Sequence, residues 1–265
     1  NVTGVQTCAL PISFSNILAD ASLDPAFKEL VGTLPAESYL YEQVSSIDPG
    51  VIHSSRRRVR EQLAKALSKQ WHEIYEACHE EKNYTPDAVS AGKRALKNLA
   101  LSALFDAQSD QASSLAVSQY EQANNMTDRY GALQVLVNFN QAQATEYLAD
   151  FHQRFKDDAL VIDKWFSLQA MRQHDPSGKH PVINDILHLR RHPDFNIKNP
   201  NRARSLIHAF CLSNPGAFHQ AGQDGYKFWA QHVIELNAIN PQVAARLARG
   251  MDRWKQFAPS YQEQM

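Results

Sequence analysis

Histidines one helical turn apart are the residues of this chain that could bind a metal ion. His188 and His192 have the spacing with which two histidines on one helix face bind zinc. A zinc peptidase also needs a glutamate directly after the first histidine, and Leu189 occupies that position. His72 does precede a glutamate, but Glu76 stands where the second histidine belongs. The sequence therefore predicts no metal ligands within the chain.

A cysteine and a histidine on one helix face could form a nucleophilic pair. Cys211 follows His208 by three residues, so the two side chains could touch. Because Cys211 comes late in an apolar helix, a small buried side chain is the favoured interpretation. The sequence contains no Gly-x-Ser-x-Gly motif, no glycine-rich phosphate loop and no dinucleotide-binding fingerprint. We expect no catalytic residue in this chain.

Two arginines lie in the opening turns of a helix that begins at Asn199-Pro200. The positive end of the helix dipole makes Arg202 and Arg204 unfavourable there unless an anionic group lies opposite. That group could be a carboxylate of a neighbouring helix or an anionic ligand. The spacing alone favours the carboxylate.

The composition excludes several classes of protein. The chain has 265 residues, a net charge of −1 and an isoelectric point near 6.9, so nucleic acid and anionic membrane are not expected partners. No apolar run approaches the roughly 20 residues that span a bilayer. The three cysteines have no paired spacing, which indicates free thiols in a reducing compartment. We therefore expect a cytoplasmic protein.

The elements that must position these side chains are predicted to be helices throughout. A capping residue followed by proline marks five helix starts, at positions 24, 48, 85, 199 and 240. Apolar periodicity predicts a longest helix from Pro49 to Glu80. Further helices are predicted over residues 86–107, 110–124, 127–138, 141–155, 158–172, 182–191, 199–212, 226–237 and 241–256. Short connections between about eleven helices predict an all-α fold, with antiparallel helix pairs stacked into a curved, α-solenoid-like superhelical domain.

The first twelve residues, Asn1–Ile12, do not fit the pattern that follows. They could pass for a short strand or for the apolar part of a signal peptide. We interpret them as a non-native, adapter-like segment and exclude them from the fold. The domain is then predicted to span residues 13–265, and we expect it to be truncated at both ends.

Several sequence blocks, in this order along the chain, resemble one known family. They cover residues 34–35, 47–49, 123–128, 161–166, 199–206 and 240–247. From about Ser13 to Met265 the chain resembles the C-terminal α-helical domain of bacterial aminopeptidase N, or alanyl aminopeptidase, a zinc metallopeptidase. The resemblance implies a longer parent enzyme that removes N-terminal residues from peptides and has this helical domain after its catalytic domain.

The resemblance also implies roles for this chain. In the family the helical domain caps the catalytic cavity and limits the access of substrates, and Zn²⁺ is bound outside it. Matching positions place Arg204, Gln242 and Arg246 at the substrate cavity, whereas Arg202 is expected to form structural ion pairs. The implied partners are the catalytic domain of the same polypeptide and peptide substrates. The parent is expected to be monomeric, and the chain alone is expected to be inactive.

A second hypothesis does not need a parent enzyme. A stack of helix pairs could be a free-standing scaffold that binds peptides or proteins on a concave face. The gene upstream separates the two hypotheses, because only the first requires an open reading frame that continues into a zinc motif.

Overall fold

The computed structural model describes residues 4–79, 84–139, 141–173, 180–220 and 224–265. Within these ranges the secondary structure is helical, and the β-structure is limited to an isolated parallel bridge between Ile47 and Phe257. The predicted all-α fold class is confirmed. None of the described helices is both long and apolar enough to cross a membrane.

The chain divides into two compact units, one formed by residues 1–35 and 55–144 and the other by residues 36–54 and 145–265. The first unit contains α1 (Gly4–Ala19), α2 (Pro25–Gly32), α4 (Pro49–Ala66), α5 (Ser68–Ala77), α6 (Ala88–Asp106), α7 (Ala112–Gln122) and α8 (Met126–Phe139). Of α4, only the part from Ser55 onward belongs to this unit. Within this unit α2 and α5 pack against α6, and α7 packs against α8.

The second unit contains α3 (Glu37–Tyr41), the start of α4 and, from Thr145 onward, most of α9 (Gln141–Phe155). Its helices continue with α10 (Ala159–Ala170), α11 (Val182–Leu189), α12 (Pro200–Ala203), a π-helical turn (Arg204–His208), α13 (Ala209–Ser213), α14 (Pro215–Phe218), α15 (Asp224–Ile239), α16 (Pro241–Ala248), 3₁₀ turns at Arg249–Met251 and Trp254–Gln256, and α17 (Pro259–Gln262). Here α10 packs against the π turn and α11, and α15 packs against α16.

Capping side chains fix most of the helix starts. The predicted starts before a proline are confirmed at four positions, where the side chain accepts a hydrogen bond from a backbone N–H of the first turn: Asp24, Asp48, Asn199 and Asn240. The start at Thr85 is wrong, because Asp87 caps α6 by accepting from the Ser90 N–H at 2.9 Å. The start at Thr127 is also wrong, since Asn125 accepts from the Asp128 N–H at 2.9 Å and α8 begins at Met126.

The predicted long helix from Pro49 to Glu80 is wrong in one respect, because it breaks at Leu67. That residue has φ −112° and ψ 18°, which separates α4 from α5. Leu67, Trp71 and Tyr75 are all buried, and α5 packs against α6. The break therefore turns the apolar face of α5 toward the core, while Glu80 lies outside the described residues.

Most other helix bounds agree with the sequence to within two residues, and those of α9 are as predicted. The helix predicted over residues 241–256 is shorter, because α16 ends at Ala248 and 3₁₀ turns follow. At the other end of the chain, α1 begins at Gly4, so most of the segment Asn1–Ile12 is helical and not a strand. The interpretation of that segment as non-native stays a prediction.

Helix α10 lies in the core of the second unit, as its apolar residues on more than one side predicted. Ile162 and Phe166 are almost fully buried, and Trp165 is 7% exposed. The Trp165 indole N–H donates to the backbone carbonyl of Leu148 in α9 at 2.9 Å. In the first unit the core is formed by Leu101, Leu104, Tyr120, Leu133 and Leu136.

We expect Leu101→Ala to lower the free energy of unfolding by about 2–5 kcal/mol, because Leu101 is fully buried and its truncation leaves a cavity. Leu30→Ala is the matched control in the same unit, since Leu30 is 68% exposed and its loss should cost less than about 0.5 kcal/mol. Guanidinium denaturation of both variants measures the difference. Equal losses would contradict the assignment of the core.

Candidate functional site

The segment that carries Arg202 and Arg204 is a continuous helix with an irregular turn. Asn199 caps its start by accepting from the N–H groups of Asn201 and Arg202. After one α-helical turn the backbone widens into the π turn from Arg204 to His208. A π turn inserts an extra residue into the helix and shifts every later side chain around the axis. As a result the side chains that follow Arg204 in this turn face the core, and Arg204 itself is exposed.

Arg202 is buried and forms structural contacts, as the sequence predicted. Its Nε donates to Asp163 Oδ1 at 2.6 Å, and its Nη1 donates to the backbone carbonyl of Asp194 at 2.8 Å. Its guanidinium carbon also lies 4.8 Å from the centre of the Phe166 ring. The carboxylate opposite Arg202 is therefore Asp163 of α10, which offsets the unfavourable position at a helix start.

Arg204 and Arg246 have a different environment. Both side chains are exposed, and neither has a carboxylate within ion-pair distance among the residues that the structure describes. The hydrogen bond of the Arg204 side chain is a long one, 3.4 Å to Asn201 Oδ1. Gln242 precedes Arg246 by one turn of α16, and both project from the exposed face of a helix that buries Val243 and Leu247.

The charges of Arg204 and Arg246 both affect the pKa of the buried His208 imidazole. The pKa of His208 is lowered to about 4, mainly by burial and then by the charges of Arg204 and Arg246. A hydrogen bond with the backbone of Val243 in α16 acts in the opposite direction. The charges of Arg204 in the π turn and of Arg246 in α16 thus both act on the same ring. Together with Gln242 these two arginines form what we call the arginine patch.

The arginine patch can bind anionic or carbonyl groups, but it contains no nucleophile. Guanidinium groups bind carboxylates in bidentate fashion and donate to carbonyl oxygens. Nearby Cys211 is only 6% exposed, and burial raises the pKa of its thiol. The structure therefore confirms that Cys211 is a packed, free thiol. His208 Nε2 is buried and has no hydrogen-bond partner within the described part of the chain.

Of the histidines considered from the sequence, His192 belongs to a group of potential metal ligands in the described part of the chain, and His188 does not. His188 is exposed, whereas the His192 ring packs against His152 of α9, with ring centres 5.2 Å apart. Glu73 beside His72 forms an ion pair with Lys69 at 3.7 Å. Sequence reasoning did not consider His152, because no local spacing connects it to His192.

Comparison with known proteins gives a family profile described as "Domain of unknown function (DUF3458_C) ARM repeats", which matches residues 7–265. Aminopeptidase N of Escherichia coli K12 is 34% identical over 264 residues, covering 98% of this chain and 30% of that protein. Aminopeptidase N of Haemophilus influenzae is 37% identical over 246 residues, covering 92% of this chain and 27% of that protein. The chain thus spans less than a third of the length of these relatives.

A solved structure has the same fold. The crystal structure of Legionella pneumophila aminopeptidase A in complex with aspartic acid matches with a TM-score of 0.84 and 26% sequence identity. The match covers 100% of this chain and 31% of that protein. The ARM-repeat description agrees with the predicted stacking of antiparallel helix pairs.

We expect Arg202→Met to destabilise the protein by about 3 kcal/mol, because it leaves the largely buried carboxylate of Asp163 without its ion pair. Arg204→Met changes an exposed arginine two positions away and should alter the free energy of unfolding by less than about 0.5 kcal/mol. Chemical denaturation of the two variants provides the comparison. A loss of the same size in both would show that Arg202 has no special structural role.

His208 should make the stability depend on pH. Its pKa in the folded state, about 4, lies below the ordinary value of 6.5, so the unfolded chain binds a proton more readily. The contribution of His208 to the free energy of unfolding is therefore fully present above about pH 6.5 and is lost as the pH falls toward about 4. His208→Gln should reduce the loss of stability between about pH 7 and about pH 5, as measured by urea denaturation.

The exposed His188 provides the control for that measurement. His188→Gln should change the pH dependence less than His208→Gln does, because His188 is exposed and is only a minor influence on the pKa of His192. His219, whose pKa burial also lowers to about 4, contributes equally to all three proteins. An unaltered pH dependence in His208→Gln would contradict the assignment to His208.

Proposed function

Since the chain belongs to the DUF3458_C family of ARM-repeat domains, we propose that it serves as the C-terminal helical domain of a zinc-dependent aminopeptidase. The resemblance to the helical domain of aminopeptidase N, first inferred from the sequence blocks, is confirmed at the level of the family. The parent would remove N-terminal residues from peptides in the cytoplasm and would be monomeric. These properties of the whole enzyme are proposals.

The domain would cap the catalytic cavity and limit the access of substrates. A zinc ion bound by the catalytic domain would supply an activated water for attack on the scissile carbonyl. The zinc-binding motif of the family does not occur in this sequence, so the chain would contribute no ligand to that ion. Its contribution would be to exclude folded proteins and to orient the substrate's C-terminal side.

The unpaired charges of the arginine patch carry this proposal. Arg204 and Arg246 are exposed, have no carboxylate partner among the described residues, and act on the same buried ring. Such charges are favourable where a peptide supplies a terminal carboxylate or backbone carbonyls. The Gln242 amide, one turn away, can both donate and accept. We assign these three side chains to substrate positioning, not to catalysis.

We expect Arg204→Gln and Arg246→Gln in the parent enzyme to raise KM for dipeptides and tripeptides roughly tenfold, with a smaller fall in kcat. A charged hydrogen bond to substrate is worth about 1.5–3 kcal/mol, which accounts for a change of this size. Amidating the substrate's C-terminus should raise KM in the wild type and change it little in the variants. Steady-state kinetics with both substrate forms gives the answer.

The matched control is Arg249→Gln. Arg249 is an exposed arginine that follows the same helix but pairs with Asp252 at 3.3 Å, so its KM should stay at the wild-type value. An unchanged KM for Arg204→Gln would remove Arg204 from the site. An equal rise in KM for Arg249→Gln would indicate a general charge effect and would contradict a specific patch.

We expect the 265-residue chain alone, supplied with Zn²⁺, to show no hydrolysis of an alanyl anilide, because its sequence lacks the zinc-peptidase motif. The chain with equimolar EDTA is the control. Turnover that requires zinc and is stopped by EDTA would contradict the assignment of catalysis to another domain.

A free-standing scaffold is the second candidate, and the ARM-repeat description of the family favours it, because such repeats form extended binding surfaces. Sequencing the gene upstream decides between the two. A reading frame that continues into a His-Glu-x-x-His motif supports the aminopeptidase. A start codon near Ser13 supports the scaffold.

A further inference from the structure

Three potential metal ligands meet in the second unit, away from the residues of the arginine patch. His152 lies in the last turn of α9, and His192 and Asp194 lie in the loop between α11 and α12. One ligand atom from each lies within 4.8 Å of the other two. We propose that this group, which we call the His₂Asp cluster, is a binding site for a divalent transition-metal ion, with zinc as the metal that suits it best.

The distances in the cluster are close to those that a metal ion requires. His152 Nε2 lies 2.6 Å from Asp194 Oδ2, and His192 Nδ1 lies 3.8 Å from the same oxygen. Zinc binds imidazole nitrogen and carboxylate oxygen at about 2.0–2.2 Å, so tetrahedral ligands lie about 3.3 Å apart. The two measured separations fall on either side of that value. Small side-chain rotations are therefore enough to place an ion among the three atoms.

The hydrogen bond between His152 and Asp194 marks the place that the ion would take. A proton shared by these two atoms now connects the carboxylate to the imidazole. A metal ion would take the place of that proton. The His152 ring would then carry its proton on Nδ1, so the imidazole would stay neutral while Nε2 and the carboxylate oxygen became ligands. The Asp194 N–H, which donates to His192 Nδ1 at 3.2 Å, is the weaker contact that must open.

The surrounding residues hold the cluster in place without a metal. The Arg202 guanidinium donates to the Asp194 carbonyl at 2.8 Å, and the Phe195 N–H donates to the His192 carbonyl at 2.9 Å. Trp165 contacts both histidine rings, with ring centres 5.1 Å from His152 and 5.2 Å from His192. Because the loop and the rings are already fixed, little conformational entropy would be lost on metal binding.

The charge balance and the donor set indicate which ion would bind. Arg202 is a nearby cation whose charge acts on His192, and its ion pair with Asp163 at 2.6 Å offsets part of that charge. Two imidazoles and one carboxylate favour zinc, copper, nickel or cobalt over magnesium and calcium, which prefer all-oxygen sites. The side chains of His152 and His192 are each 24% exposed, and that of Asp194 is 41% exposed. An ion could therefore enter from solvent and keep water in its open positions.

Sequence spacing does not indicate this site, because it suggests His188 as the partner of His192. In the structure His152 takes that place. The proposal does not depend on the proposed function, since the cluster shares no residue with the arginine patch and the test below needs no peptidase activity.

Calorimetric titration of the 265-residue chain with ZnCl₂ tests the site. We expect one strong zinc site per chain in the wild type, and at least tenfold weaker binding in both His152→Gln and Asp194→Asn. Asp194→Asn keeps the shape of the side chain, so at least one variant should retain the fold, which circular dichroism verifies. His188→Gln removes an exposed histidine one turn before His192 and should bind as the wild type does.

Trp165 provides a second, independent readout. Cu²⁺ bound at the cluster should quench its fluorescence, and Trp165→Phe should lose that part of the quenching. Absence of a strong zinc site in the wild type would overturn the proposal. So would binding that His152→Gln and Asp194→Asn leave unchanged, or that His188→Gln weakens as much, because either result would show adventitious binding at other histidines.

Discussion

The buried guanidinium of Arg202 is the interaction on which the second unit depends. It joins the helix that begins at Asn199 to Asp163 of α10 and to the loop carbonyl of Asp194, and it packs on the Phe166 ring. A buried arginine of this kind is costly unless each donor has a partner. Here the partners come from two separate segments, α10 and the loop before α12. The one side chain therefore fixes the position of the helix and the conformation of the loop together.

Both proposed sites take their geometry from that interaction. On one side, Arg202 anchors the helix from which Arg204 projects into solvent near Arg246. On the other side, it holds the loop that places Asp194 beside His152. Two arginines two residues apart thus have opposite roles, because successive helix positions point about 100° apart. The π turn then directs the next residues inward, so His208 is buried while the charges of Arg204 and Arg246 still lower its pKa.

A helical domain with these features fits the proposed role in a larger enzyme. Its fold supplies a rigid support, and its unpaired charges supply a surface for a peptide's polar groups. Chemistry on the scissile bond would belong to another domain of the parent. The His₂Asp cluster would be a separate metal site within the helical domain itself. It would bind an ion without any contribution from the catalytic domain.

The sequence by itself determined the features that depend on neighbouring residues. Capping side chains at Asp24, Asn199 and Asn240 begin helices because each reaches a backbone N–H of its own first turn. The apolar pattern of α10 likewise indicated its central position. Sequence also separated Arg202 from Arg204, although this separation came from a family resemblance combined with helical geometry.

Only the tertiary structure decided the features that depend on distant residues. The break at Leu67 accompanies the packing of α5 on α6, and no local signal near Leu67 predicts it. Asp163 could not be chosen as the partner of Arg202, nor His152 as the partner of Asp194, because such contacts exist only after helices and loops have packed. Local hydrogen bonding determines where helices begin, whereas the assembly of side chains into a site requires long-range packing to bring them together.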